Sequence, residues 1–215
     1  MNIAYLIYYF TVCCASLLSI YRFKMLDAAS KVFSILICFS FITELTTNYA
    51  AKKYQNNESI YAIYELLDFG LTCLYFNYSI DVFRRKNIGI YIGAVGIFLG
   101  IINILFIQHI SSQNSFFLLF EGIMVIGMSL FAFSRLLLND ESLHLYSYPH
   151  FWILSILTFS SSITFLNWGL YDYFVITLKN KIWIIDIFLL IVNIISYIGF
   201  SLVFLFYPKL KHGND

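Results

Sequence analysis

The chain has 215 residues, of which 60% are hydrophobic and only 12% charged, against about 45–50% and about 25% in an ordinary soluble domain. Water is therefore not its main solvent. A formal charge of +1, with the basic residues scattered along the chain, leaves no electrostatic footprint for nucleic acid.

Seven apolar runs follow one another at 3–21, 32–51, 60–83, 88–108, 116–138, 151–171 and 182–206. Each is long enough for a transmembrane helix of about 20 residues, so seven helices take roughly 140 residues. The expected fold is all-α: a single polytopic seven-transmembrane-helix bundle over residues 1–215 with short connections and no extramembrane domain. The lipid bilayer is the first partner this composition implies.

The first run follows Met1 and Asn2 without a basic leader or a small-residue cleavage site, so it is expected to stay as a helix and not to be a signal peptide. Cys13, Cys14, Cys38 and Cys73 all lie inside apolar runs, with no CxxC or CxxH spacing. They read as small buried hydrophobes, not as a disulfide framework or metal ligands.

In the second run, Ser40, Glu44 and Thr47 form a polar stripe. In the third, Tyr61, Glu65, Asp68, Thr72 and Tyr75 recur at helical spacing and share one face. The fourth run places Gly89, Gly93, Gly96 and Gly100 at offsets of 0, 4, 7 and 11. Such glycines let another backbone approach closely. Two seats fit that face: packing inside the bundle, or a second copy or partner helix, which would make a homo-oligomer through the fourth helix.

Glu121 stands early in the fifth run. The sixth opens at Pro149 and includes Ser160, Ser161 and Ser162, which suit helix packing. In the seventh, Asp186, Asn193, Tyr197 and Ser201 share a face. The only prolines, Pro149 and Pro208, are each expected at a helix end.

Basic residues fix the expected orientation, because they are retained on the cytoplasmic side. Arg22, Lys24, Lys31, Arg84, Arg85, Lys86, Arg135, Lys209 and Lys211 fall at one set of helix ends, and Lys52, Lys53, Lys179 and Lys181 at the other. The balance predicts N-terminus out and C-terminus in, in the cytoplasmic (inner) membrane. Glu44, Glu65, Asp68, Glu121 and Asp186 then lie in the outward half of the bundle, with Asp172 capping the sixth helix on the same side. Carboxylates are expensive in lipid and mark functional sites by default. With Asn193 they suggest a polar cavity opening outward, whose acids must be protonated, hydrogen-bonded or neutralised by a bound cation. The opposing reading is that they glue helices together, at about 0.6 kcal/mol per bond.

Several chemistries lack their residues. The last run has no lysine to hold retinal, and His109, His144, His150 and His212 have no ligand-spaced partners mid-membrane. No G-x-S-x-G elbow or phosphate-binding glycine loop occurs. No catalytic residue, cofactor or metal site is expected.

Five pieces together resemble a group of small seven-helix membrane proteins of Bacteroidota that look like stand-alone sensory modules. They are Tyr64-Glu65 after the Asn56-Asn57 loop, Glu121, the Pro149-His150-Phe151-Trp152-Ile153 opening, and Trp183-Ile184-Ile185 with Asn193. That resemblance implies signalling near two-component genes. With only a short tail after Pro208, output is expected to pass through a membrane or cytoplasmic signalling partner. The leading reading is a non-enzymatic sensor or accessory subunit. Behind it stand a proton- or cation-coupled carrier, and an intramembrane lipid-modifying enzyme using paired acids such as Glu65 and Asp68.

Overall fold

A computed structural model of the chain describes residues 3–110, 114–139, 145–171, 174, 176 and 183–212. Among the described residues there are eight α-helices and no strand. They are α1 (Ile3–Arg22), α2 (Ala28–Tyr54), α3 (Glu58–Ser79), α4 (Asp81–Lys86), α5 (Ile88–Ile102), α6 (Ser115–Asn139), α7 (Pro149–Gly169) and α8 (Trp183–His212).

Six of them, α1, α2, α5 with the turn that continues it, α6, α7 and α8, are long and apolar enough to cross a membrane. The chain is thus a multi-pass membrane protein by length and composition. The outer surface agrees, since Phe106 is 80% exposed, Leu138 78% and Phe10 69%, a coat that lipid accepts and water does not. α3, interrupted by Glu65 and Asp68, is not among the six.

Local chemistry sets the helix ends. The Asp27 carboxylate accepts from the Ser30 amide at 2.7 Å and caps α2, and Gln55, at φ 54°, ends it in the left-handed conformation. The third apolar run, expected as one helix over 60–83, instead breaks at Ile80, whose backbone is extended (φ −116°, ψ 116°). The short α4 follows, and left-handed Asn87 turns the chain into α5; asparagine tolerates that conformation. The fourth run stays helical to Ile107, as expected to within a residue, but changes its winding. After Ile102 the backbone widens into a π turn over Asn103–Ile107, closed by the Gln108 amide on the Asn103 carbonyl at 2.7 Å.

Pro149 sits in the first turn of α7 as expected. Pro208 does not end α8, which continues to His212. A proline so close to a helix terminus costs one amide bond, to the Phe204 carbonyl, and leaves few turns beyond it to disrupt.

The chain divides into two compact units, Ser19–Glu121 and Met1–Leu18 with Gly122–Asp215. In the first, α3 is the middle helix, packed against α2 and against α5. Its core is aromatic: Phe33 lies 5.3 Å from Tyr75, and Phe69 meets Phe120 at 5.6 Å and Phe117 at 5.8 Å. In the second unit α7 packs on α8 around the buried Ile153, Leu154 and Phe204, and Tyr8 of α1 meets Tyr197 of α8 at 6.0 Å.

The four glycines of α5 are buried and all face α3. A Cβ on Gly89 would stand 2.5 Å from the Cys73 carbonyl oxygen and 2.7 Å from Asn77 Cβ. One on Gly93 would stand 3.1 Å from Cys73 Cβ, while Gly96 and Gly100 abut Phe69 and Leu66. The Gly89 amide also donates to Asn77 Oδ1 at 3.2 Å, satisfying one of the open amides of the first turn of α5. The face that could have seated a second copy or a partner helix is taken by α3.

Because the Cys73 carbonyl is backbone and cannot swing away, Gly89→Ala should lower stability by about 1–3 kcal/mol, read as a lower thermal unfolding midpoint in detergent. Gly127→Ala, where an added Cβ meets nothing within 4 Å, should leave it unchanged. Equal midpoints for the two variants would contradict this packing.

Candidate functional site

Of the six polar residues nominated from sequence, Glu44, Glu65, Asp68 and Glu121 lie in the unit Ser19–Glu121. The helical spacing of α3 sets Tyr64 one turn before Asp68. The Tyr64 hydroxyl donates to Asp68 Oδ1 at 2.9 Å and stands 2.8 Å from Ser40 Oγ of α2. On its other side the Glu121 carboxyl of α6 stands close to the Asp68 carboxyl. Ser40, Tyr64 and Asp68 therefore form one hydrogen-bonded chain across α2 and α3, with Glu121 beside its acidic end.

The neighbouring carboxyls carry a chemical condition. Two carboxylates have only acceptor oxygens, so Asp68 and Glu121 bond each other only with a proton on one of them. Glu65 adds a third acid, close enough that its charge acts on Glu121 and the charge of Asp68 acts on it. All three side chains are half-buried. Among the described residues no lysine or arginine pairs with any of them.

Glu65 faces the amide of Asn114, yet Glu65 Oε2 and Asn114 Nδ2 are both buried without a hydrogen bond of normal geometry. Asn114 begins a second polar chain that the sequence reading did not nominate. Its Oδ1 accepts from Asn103 Nδ2, which also donates to Gln108 Oε1 at 3.0 Å. Gln108 Nε2 in turn donates to Ser115 Oγ at 2.9 Å. These amides stitch the π turn to the start of α6. The available signal was Asn103 itself, an amide inside an otherwise apolar run.

Glu44 sits in a looser group one turn along. Its Oε2 accepts from the Tyr61 hydroxyl at 3.5 Å, and Thr47 Oγ1 donates to the Glu44 carbonyl at 3.1 Å and to Tyr61 Oη at 3.4 Å. Asp186 and Asn193 belong to the other unit, where α8 holds both exposed. Asp186 lies in the first turn of that helix. Asp172, His144, Lys179 and Lys181 lie outside the described residues.

Among the described residues, no group of three His, Cys, Asp or Glu side chains is placed to hold a metal ion. The four cysteines are free thiols, with Cys73 buried and the others half-buried. What the acidic chain can do is store a proton and relay it, since the Tyr64 hydroxyl both donates and accepts.

Tyr64→Phe keeps the ring, which stacks on Phe39 at 6.4 Å, and removes the hydroxyl. Its expected cost is about 1 kcal/mol. Asp68→Ala should cost more, about 1–3 kcal/mol, because it also strands the Glu121 carboxyl. Asp68→Asn keeps hydrogen-bonding capacity toward both neighbours and should cost less than either. Denaturation of the purified variants in mixed detergent micelles measures all three, and an Asn variant as unstable as the Ala variant would mean that the pair does not share a proton.

Compared with protein-family models, with curated proteins and with solved structures, the chain matches none.

Proposed function

We propose that this chain is a non-enzymatic, proton-responsive sensor or accessory subunit of the cytoplasmic (inner) membrane, acting through a partner protein. The observation that carries the reading is the close approach of the Asp68 and Glu121 carboxyls, with no lysine or arginine beside them. A proton shared between them adds a tie between α3 and α6 to the contacts that Phe69 makes with Phe117 and Phe120. Without the proton, two negative charges face each other in apolar surroundings with no cation beside them, an arrangement that drives groups apart or toward water. Gain and loss of one proton thus switch a helix contact, which is what a sensor requires.

In this reading α3 is a seventh span. Its 22 residues reach about 33 Å at 1.5 Å per residue, enough for a hydrocarbon core of about 30 Å. Its polarity is tolerable because α2 and α5 flank it. The lysine and arginine balance orients the N-terminus outward and gives the carboxyl chain access from the outer side. The resemblance to stand-alone sensory modules of Bacteroidota supports signalling as the output. A proton- or cation-coupled carrier would use the same Ser40–Tyr64–Asp68 chain and Glu121, so transport is the discriminating measurement.

Affinity purification from native membranes in mild detergent should recover a stoichiometric partner whose retention changes with pH in the parent chain and not in Asp68→Asn or Glu121→Gln. Proteoliposomes holding the purified chain and a pH-sensitive dye should show no flux beyond protein-free vesicles. A chain that recovers no partner at any pH, together with flux that Asp68→Asn abolishes, would replace the sensor with the carrier.

A further inference from the structure

The unit Met1–Leu18 with Gly122–Asp215 has its own feature, independent of the carboxyl chain. Between α7 and α8 runs a groove of about 540 Å³, within the range of about 300–1,000 Å³ usual for ligand sites. Trp152, Ile156 and Phe159 line it from α7, and Ile195, Leu202 and Phe206 from α8. Both helices are among those able to cross a membrane, so the groove lies at bilayer depth. Along α8 the lining extends from Ile195 to Leu210, about 22 Å at 1.5 Å per residue, more than the half-thickness of a hydrocarbon core of about 30 Å.

The two serine hydroxyls and the indole of its wall are already committed. Ser155 Oγ donates to the Phe151 carbonyl at 2.7 Å and Ser196 Oγ to the Val192 carbonyl at 2.9 Å. The Trp152 indole N–H donates to the Tyr146 carbonyl at 2.9 Å. Away from the Tyr146 hydroxyl at one end, the wall is apolar or internally hydrogen-bonded, which suits an apolar occupant along this length.

One end is different. There Tyr146 and Trp152 pair at 6.3 Å, at the start of α7, in the kind of aromatic position found where a helix meets the headgroup region. Lys209, exposed on the last turns of α8, holds its ammonium 5.8 Å from the centre of the Phe206 ring, and Phe206 shares the groove wall with Tyr146 and Trp152. A long apolar channel with a cation next to one of its wall residues complements an amphiphile with one anionic head.

We infer that the α7–α8 groove is a binding site for one acyl chain of an anionic glycerophospholipid, whose phosphate is held at the mouth by Lys209. An electrically neutral lipid fills the channel equally well and gains nothing from the lysine. One basic side chain near anionic lipid is worth about a fivefold preference.

Trp152 reports occupancy directly, because it lines the groove. In a full-length background with Trp168→Phe and Trp183→Phe, the protein is reconstituted into phosphatidylcholine vesicles carrying small fractions of brominated-acyl phosphatidylglycerol or brominated-acyl phosphatidylcholine. Trp152 fluorescence should be half-quenched by the glycerol lipid at about one fifth of the fraction the choline lipid needs. Lys209→Glu, an exposed change that leaves the groove intact, should remove or reverse the preference. Ser155→Phe, which fills the channel, should reduce quenching by both lipids. Equal quenching by both lipids in the parent chain would overturn the site as ordinary annular lipid. Quenching by neither, with Trp152 shielded as protein density rises, would overturn it in favour of a second copy covering the groove.

Discussion

The arrangement of residues 19–121 follows from one constraint: α3 carries acids into apolar surroundings without a cation to meet them. An isolated carboxylate in such a place is too costly to persist, so the acids must be neutralised by protons or hydrogen bonds, and neighbouring helices must supply the partners. Ser40 comes from α2, Glu121 from α6, and Tyr64 from α3 itself. The packing on the opposite flank answers the same need. Four glycines let α5 lie directly on Phe69, Cys73 and Asn77, and Asn77 returns a hydrogen bond to the first turn of α5.

A hydrogen bond between two acids is a tie only while a proton is present, so under the proposed function the Asp68–Glu121 pair adds a proton-dependent contact between α3 and α6 to the aromatic one that Phe69 makes with Phe117 and Phe120. The amide chain of Asn103, Gln108, Asn114 and Ser115 needs no proton beyond its own, and it fixes the start of α6 beside the switchable link.

Of the six residues that the sequence nominated for one cavity, Glu65, Asp68 and Glu121 lie close together, while Glu44 sits in its own group and Asp186 and Asn193 belong to the other unit; acids inside apolar runs stand out in a sequence, but their grouping does not. The glycine face of α5 was legible for its spacing, but spacing alone does not say what lies against it, and α3 proved to be the neighbour. Asp186 and Asn193 share a face of α8 as the periodicity required, yet that face is exposed. Helical periodicity groups residues without saying which way the group points, and an acid in a first helical turn can reach water without a cavity. Tyr64 was legible only as the residue one turn before Asp68. The break at Ile80 was hidden because an apolar run reads the same whether its helix is continuous or interrupted. The π turn after Ile102 leaves one trace, the amide of Asn103 in an otherwise apolar run, and Pro208 shows that a helix breaker near a terminus loses little.

The central claim is that Asp68 and Glu121 share a proton, and infrared spectroscopy of the full chain in lipid nanodiscs tests it most directly. The account predicts a carbonyl stretch of a protonated carboxylic acid at neutral pH, insensitive to bulk solvent exchange on short times, and absent in both Asp68→Asn and Glu121→Gln. No such band in the parent chain, or a band that survives both substitutions and disappears only in Glu65→Gln, would contradict it.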